Sequence, residues 1–282
     1  MSKRFPPIPE FVEPYPDESC YSILCRCAVR APMSTSRFCR EMFTKQRFLS
    51  YYLWQPFHAE EMNRWFDDTP ERIQKYLLKH SCVSYRYPFL SKICQEDFED
   101  WSAGEELSAG TYQRLTLKLG CRAWKKRSLY YCPECVRVDR RNYGETYWHM
   151  IPQLPGVFVC PVHGVPLEQS SLTQKASSWM DLYPADYWLS DTEARKETIS
   201  YDELRLATDS KWMMENGWNT EIKMHSLLEG LTTWQFEQAE AQTRRFTSQR
   251  NAKNETIYHI LLANIKGKSI ADFMIQHEIM EN

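Results

Sequence analysis

Apolar positions near the N-terminus predict two successive helices, each with one buried face. The first helix follows the i, i+3, i+4, i+7 rule, with Asp17 as candidate N-cap and Pro32 beyond its end; its apolar positions are Tyr21, Leu24, Cys25 and Ala28. Ser34 or Thr35 then caps a second helix whose inward positions are Phe38, Cys39, Met42 and Phe43. Residues 17–44 are therefore expected to form two helices joined by a tight turn. This pair is either the start of a helix-turn-helix or an ordinary helical hairpin.

The same periodicity predicts helices further along the chain. One begins near residue 59, and another start signal is Thr69 followed by Pro70. Residues 81–110 are less periodic, and a helix resumes over residues 111–119. In the C-terminal part the clearest apolar stripe covers residues 255–265, and Ser269 begins a further helix.

A short module with a different pattern separates these helical regions. Aromatic and β-branched residues predict strands at residues 129–131 and 156–160. The predicted division is an extended proline-rich segment 1–16, a helical domain 17–127 that resembles a helix-turn-helix domain, the module 128–169, a polar connector 170–198 and a helical domain 199–282.

Composition and charge limit the classes of protein to which the chain can belong. With 282 residues, of which 43% are hydrophobic, the chain has enough apolar side chains for two modest domains. It contains no apolar run near the roughly 20 residues of a membrane span and no secretion signal, so a soluble cytoplasmic protein is expected. The net charge of −2 conceals two basic stretches. Residues 121–145 carry seven basic and three acidic residues, and residues 241–268 carry six and one.

Four residues have the spacing of one metal site. Two residues separate Cys132 from Cys135, two separate Cys160 from His163, and 24 residues lie between these pairs. Such tight pairs turn both side chains onto one cation, and three thiolates with one imidazole complete the tetrahedral shell of Zn²⁺. We therefore predict one structural zinc ion. The expected fold class is mainly α with a small zinc-ribbon or zinc-finger module and little strand.

A complete ligand shell leaves no position for a reactive water, so the protein is expected not to be an enzyme. Two alternatives stay open at this point: the four residues are ordinary buried groups, or His149 replaces one ligand. Glu145 near the module suggests a zinc hydrolase as a third alternative, but that chemistry needs an open ligand position. The cysteines among apolar helix positions, Cys25, Cys27 and Cys39, are expected to be reduced thiols.

Several motifs together resemble one known family. They are Asp17-Glu18-Ser19-x-Tyr21-Ser22 leading to Arg26, Tyr131-Cys132-Pro133-x-Cys135, Tyr143-Gly144-Glu145-x-Tyr147-Trp148, and Gln153-Leu154-Pro155-Gly156-Val157 running into Cys160-Pro161-x-His163-Gly164. Over residues 14–170 this combination resembles the TniQ/TnsD proteins of Tn7-like transposons. The chain has Pro152 where many members have a histidine, and this departure leaves the four proposed ligands in place.

The resemblance implies a bacterial target-selection adaptor without catalysis of its own. Family members recognise an insertion site on double-stranded DNA, directly or by joining an RNA-guided Cascade complex, and recruit an AAA+ ATPase. The protein is then expected in the cytoplasm and on the nucleoid when it binds DNA. The alternative is an interaction module that never binds DNA alone. A homodimer formed through the C-terminal helices also stays open.

Basic residues near the module are the candidates for phosphate contacts, and two in the second helix are candidates for base contacts. The expected DNA-binding residues are Arg37, Arg40, Lys125, Lys126, Arg127, Arg137, Arg140 and Arg141. The alternative is that these charges only solvate the surface. The aromatic N-terminal segment is the candidate for docking in a partner's groove, through Phe5, Pro6, Pro7, Ile8, Phe11 and Tyr15. Tyr147 and Trp148 are expected to pack around the module.

Overall fold

Short helices and a two-stranded sheet make up the architecture. A computed structural model describes residues 12–42, 76, 78–87, 90, 92–102, 105, 107–111, 115, 128–154, 156–173 and 182–217. The elements are α1 (Cys20–Arg30), α2 (Thr35–Met42), α3 (Val83–Arg86), α4 (Lys92–Ser102), β1 (Ser128–Tyr131), α5 (Pro133–Tyr143), a 3-10 turn (Ile151–Gln153), β2 (Glu168–Thr173), α6 (Ala185–Trp188) and α7 (Tyr201–Asn216). This mainly helical chain with little strand confirms the predicted fold class.

The two helices predicted at the N-terminus are present as α1 and α2, which pack against each other. The N-cap of α1 is Ser19, whose hydroxyl accepts a hydrogen bond from the backbone N–H of Ser22 at 3.2 Å. The prediction that Asp17 caps this helix was wrong. Asp17 has a positive φ of 56°, and its carboxylate accepts the backbone N–H of Ile151, far along the chain, at 3.2 Å.

The sheet is an antiparallel pair of β1 and β2, with Tyr131 opposite Glu168. The strand predicted at residues 129–131 is therefore confirmed within β1. The strand predicted at residues 156–160 was wrong, because this stretch leads into a tight turn and forms one bridge, between Val159 and Pro166. The strand β2 was not predicted, since its sequence Glu-Gln-Ser-Ser-Leu-Thr has little β-branched or aromatic character.

One buried apolar cluster joins the N-terminal helices, the module and part of the predicted connector. Its members include Ile23, Phe38, Phe98, Val136, Trp148 and Leu189. The described part of the module therefore shares its core with α1 and α4. The predicted domain boundary at residue 127 stays a prediction, because residues 116–127 lie outside the described ranges.

At the C-terminal end of the described chain, α7 begins with a capping box formed by Ser200 and Glu203. This helix packs against α3 and the 3-10 turn. Residues 59–75 and 255–282, on which predicted helices fall, lie outside the described residues, and the helix predicted from Thr69 is described only near its end, where Tyr76 is helical. None of the nine cysteines within the described ranges forms a disulfide bond, and Cys25, Cys27 and Cys39 are buried. No helix in these ranges is long and apolar enough to cross a membrane.

Candidate metal centre

The first predicted ligand pair lies where β1 passes into α5. Cys132 is the N-cap of α5, Pro133 fills the first helical position, and Cys135 lies in the first turn. Proline suits this position because its missing N–H has no partner in a first turn. The positive end of the helix dipole lies close to both sulfurs, which is a favourable position for thiolates that bind a cation.

The second pair lies on a tight turn between Val159 and Pro166. The backbone N–H of Gly164 donates to the carbonyl of Cys160 at 2.9 Å, and that of Cys160 donates to the carbonyl of Val165 at 2.8 Å. Gly164 has a φ of 61°, which a residue without a side chain adopts readily. The turn places Cys160 and His163 on the same side.

The ligand atoms of the four residues all lie within 4.8 Å of one another. His163 Nδ1 is 3.5 Å from the sulfur of Cys132, 3.4 Å from that of Cys135 and 3.5 Å from that of Cys160. The sulfurs of Cys135 and Cys160 are 3.8 Å apart. Metal–sulfur and metal–nitrogen bonds of about 2.3 and 2.05 Å at tetrahedral angles place the sulfurs about 3.8 Å apart and nitrogen about 3.5 Å from sulfur. The arrangement fits one tetrahedral cation.

Charge within the cluster also suits a cation. Hydrogen bonds from Cys132 and Cys135 hold the pKa of the Cys160 thiol well below its usual range, and hydrogen bonds to Cys132 and Cys160 hold the pKa of Cys135 above it. The negative charge of the cluster is therefore centred on Cys160. The sulfur–sulfur separation of 3.8 Å is far from the roughly 2.05 Å of a disulfide. Three thiolates with one imidazole are a ligand set that is typical of structural zinc sites.

His149, the alternative ligand, lies outside this cluster and binds carboxylates. Its Nε2 is 2.9 Å from Asp139 Oδ2, and its Nδ1 is 3.5 Å from Asp17 Oδ2. Burial alone would lower the pKa of His149, but the hydrogen bonds and charges of Asp139 and Asp17 raise it to about 10. An imidazolium therefore joins α5 to the segment before α1. It also stacks on Tyr147, with ring centroids 4.2 Å apart.

A partly buried ionic network joins α1 to the end of α5. Arg26 donates to Glu18 Oε2 at 2.6 Å and to Glu145 Oε1 at 3.0 Å. Arg30 also binds Glu145, at 2.6 Å, and the Tyr15 hydroxyl donates to the same oxygen at 3.0 Å. Burial would raise the pKa of Glu145, but the hydrogen bonds from Arg30 and Tyr15 and the charge of Arg26 lower it. Glu145 is therefore an ion-paired carboxylate of this network and not the base of a hydrolase.

Aromatic side chains cover the same network. Tyr15 stacks on Tyr143 with centroids 4.3 Å apart, and the Arg26 guanidinium lies 3.6 Å from the centroid of the Tyr15 ring. Tyr147 and Trp148 are buried, as predicted. The backbone N–H of Trp148 donates to the Ser22 hydroxyl at 3.0 Å. The family-like motifs at residues 17–26 and 143–148 therefore form one joint between α1 and the metal module.

The predicted DNA-binding residues fall into three groups. Arg37 and Arg40 are exposed on α2, and Arg37 pairs with Glu41 at 2.7 Å. On α5, Arg141 is exposed and Arg137 pairs with Glu134. Lys125, Lys126 and Arg127 lie outside the described residues.

Arg140 lies on the same helix, and its side chain is hydrogen-bonded to other residues of the protein. Its guanidinium donates to Asp186 Oδ1 at 2.8 Å, to Asp191 Oδ1 at 2.5 Å and to the carbonyl of Leu189 at 2.6 Å. These bonds use the donors that a phosphate contact needs. Arg140 therefore holds the chain after β2 against α5.

Of the predicted partner-binding residues, Tyr15 lies in the described chain and belongs to the network around Glu145. Phe5, Pro6, Pro7, Ile8 and Phe11 lie outside the described residues. The sequence pattern assigned no role to Asp139, Glu18 or Arg26. Glu18 and Arg26 lie within the first motif, and that position was the one signal that could have identified them.

Comparison with known proteins supports the resemblance seen in the motifs. The TniQ family model matches residues 9–167, which is more than half of the chain. The chain is also similar to the transposon Tn7 transposition protein TnsD of Escherichia coli, with 26% identity over 162 residues. That alignment covers 55% of this chain and 30% of the relative. The chain thus spans less than a third of the length of TnsD, and the matched region contains the four candidate ligands and the joint to α1.

Proposed function

The chain belongs to the TniQ family, and we propose that it acts as a target-selection adaptor in Tn7-like DNA transposition. The observation that carries this proposal is the family match over residues 9–167, which contains the complete cysteine–histidine cluster and the Arg26–Glu145 joint. The name of the similar Tn7 protein, a transposition protein, supports the same process.

In this proposal the metal centre is structural. Cys132, Cys135, Cys160 and His163 hold one zinc ion, which supplies a crosslink between the start of α5 and the turn at residues 160–163. Four protein ligands leave no open position, so the protein has no hydrolytic role of its own. The crosslink fixes the direction of α5 and therefore the positions of its basic side chains.

The proposed DNA surface consists of basic side chains in three groups, of which Arg37, Arg40 and Arg141 are exposed and Arg137 is half-buried. Arg137 and Arg141 are one helical turn apart on α5, Arg37 and Arg40 lie on α2, and Lys125, Lys126 and Arg127 precede β1. The α5 residues contact phosphates, which position the protein without reading sequence. Arg37 and Arg40 reach base edges.

The adaptor recruits an AAA+ ATPase, and it selects the site directly or through an RNA-guided complex. The N-terminal residues 1–11, with their prolines and aromatic rings, are the proposed docking segment. They lead directly into Tyr15, which is fixed against Tyr143. A segment tied at one end to a rigid joint loses less entropy when a partner binds it.

A second candidate is an interaction module without DNA binding of its own. Two observations favour it: Arg140 is fully engaged within the protein, and Arg137 is paired with Glu134. The net charge of −2 also gives the whole molecule no general attraction for phosphates. The two candidates differ in whether the exposed arginines contribute to binding.

Gel-shift titration on duplex DNA distinguishes these candidates. The Arg137→Glu/Arg141→Glu variant should bind several-fold more weakly, and the slope of log K against log salt should fall by about 1 for each phosphate that the variant no longer neutralises. Lys196→Glu is the control, an exposed single charge reversal outside all three proposed basic groups. Affinity and salt slope equal to those of the control would favour the interaction module.

A deletion tests recruitment. A chain lacking residues 1–11 keeps Tyr15 and its network, so it should fold and retain its metal while losing the ATPase in a pull-down with the purified partner. Undiminished recovery would show that the ATPase binds elsewhere on the molecule.

A further inference from the structure

The segment Leu182–Leu189 lies beyond the family match, which ends at residue 167, yet it is firmly attached to the core. Leu182, Ala185 and Leu189 are buried. The indole Nε1–H of Trp148 donates to the carbonyl of Tyr183 at 2.8 Å, and the backbone N–H of Tyr183 donates to the Tyr21 hydroxyl at 3.0 Å. The segment is thereby fastened to both α1 and the metal module.

Further bonds from α5 and the segment after it fix the middle of this segment. Arg140 binds the Asp186 carboxylate at 2.8 Å and the carbonyl of Leu189 at 2.6 Å. The backbone N–H of Thr146 also donates to Asp186, at 3.2 Å. The backbone that carries Tyr187 and Trp188 is therefore held from two sides.

This anchored backbone presents two large aromatic side chains to solvent. Tyr187 is 70% exposed and Trp188 is 47% exposed. Trp188 meets the ring of Tyr183 edge-on, with centroids 5.1 Å apart, so its orientation is fixed. Tyrosine and tryptophan dominate binding hot spots, and a rigid, preformed site loses little entropy on association. The pair has the properties of an interface anchor.

The charge of the residues around Tyr187 and Trp188 indicates which kind of protein segment binds them. Residues 182–203 contain six acidic and two basic residues, and acidic groups still exceed basic ones by three when Arg140 is counted with them. Asp191, whose carboxylate also accepts a hydrogen bond from Arg140, and Glu193 follow the aromatic pair, and both are exposed. Such a surface repels phosphates and attracts cations. Arginine and lysine also stack favourably on the face of tryptophan.

The geometry points to a docking surface, formed by Tyr187 and Trp188 with the flanking Asp191 and Glu193, that binds a basic segment of a protein partner. This inference rests on the proposed function and deepens it, because it gives the recruited ATPase a second contact surface in addition to residues 1–11. The surface is separate in sequence and opposite in charge to the proposed DNA surface on α5.

The test is biolayer interferometry with the immobilised full chain and the purified AAA+ ATPase of the same element. Tyr187→Ala/Trp188→Ala should weaken binding about tenfold or more, as hot-spot truncations do. Glu193→Lys should weaken it several-fold, most strongly at low salt. Ile93→Ala is the matched control, since Ile93 is 62% exposed on α4 and should have no effect. Circular dichroism checks that each variant is folded.

Three results would overturn the inference. If the wild type binds the ATPase and the aromatic variant binds equally well, this docking surface alone is wrong. If the wild type does not bind the ATPase at all, recruitment under the proposed function fails together with it. If the aromatic variant changes only self-association in sedimentation, the occupant is a second copy of the chain.

Discussion

At the residue scale, Arg26 of α1 connects several separate parts of the molecule. Its guanidinium binds Glu18 and Glu145 and lies against the ring of Tyr15. Burial raises the pKa of Glu18 and the positive charge of Arg26 opposes that rise. A buried ion pair of this kind stabilises only while both partners are present.

Replacing Arg26 by Met should therefore lower the free energy of unfolding by about 3–5 kcal/mol, because two carboxylates lose a buried cation. Arg37→Met is the matched control. Arg37 pairs with Glu41 at 2.7 Å, but its side chain is 65% exposed, so its removal should leave the free energy of unfolding almost unchanged. Urea denaturation of both variants measures the difference. Equal costs would show that the network around Glu145 contributes little.

His149 makes a pH-dependent contribution to the free energy of unfolding, and the sign of this contribution follows from the shift in its pKa. Asp139 and Asp17 raise its pKa to about 10 in the folded protein, against about 6.5 in the unfolded chain. A raised folded pKa gives stability that is complete below pH 6.5 and is lost as the pH rises toward 10. The wild type should therefore lose its advantage over His149→Gln between pH 6.5 and 10. Paired urea titrations at fixed zinc concentration measure this, and a pH-independent difference would contradict it.

At the element scale, α5 performs a different task at each position along its length. Its N-terminus places Cys132 and Cys135 at the metal site, its middle carries Asp139 and Arg140, and its end leads into Glu145. No helix was predicted from the sequence over this stretch. A helix forms instead, and it spreads the side chains over several faces, which explains why Arg140 points to the connector and Arg141 to solvent.

The end of α5 depends on Gly144, which has a φ of 78° and donates its N–H to the carbonyl of Arg140. An added Cβ meets nothing within 4 Å there, so Gly144→Ala isolates backbone strain of about 1–2 kcal/mol. Gly110→Ala is the control, because its Cβ is equally unhindered and it has no positive φ. That change should be neutral or stabilising. Thermal unfolding compares the two, and equal shifts would contradict the role of the left-handed turn.

Local chemistry was predictable from the sequence, and long-range pairing was not. The two ligand pairs and β1 follow from spacings of a few residues, so the sequence placed them correctly. The cap of α1 was misassigned to Asp17, because that residue is recruited by the distant backbone of Ile151. The pairing of Arg26 with Glu145 spans 119 residues, and no periodicity in the chain indicates it. Residues of one motif meet those of another only in the folded core.

At the scale of the whole molecule, the shared core makes the metal centre a support for the N-terminal helices. Leu129 and Val136, on either side of Cys132, belong to the same buried cluster as Ile23 of α1. The backbone of Trp148 also bonds to Ser19 and Ser22 at the start of that helix. Loss of the proposed zinc crosslink at the start of α5 should therefore weaken packing well outside the module.

Removal of one ligand should accordingly loosen α1 as well as the metal module. Cys135→Ser is expected to lose zinc in elemental analysis and to increase amide hydrogen exchange in Cys20–Arg30, because metal binding contributes folding free energy. Cys94→Ser is the matched control: Cys94 is a buried thiol on α4 that belongs to no ligand cluster in the described chain. It should retain zinc and keep α1 protected. Protection of α1 that survives zinc loss in Cys135→Ser would mean that the N-terminal helices fold independently of the metal, and the adaptor would then consist of separable units.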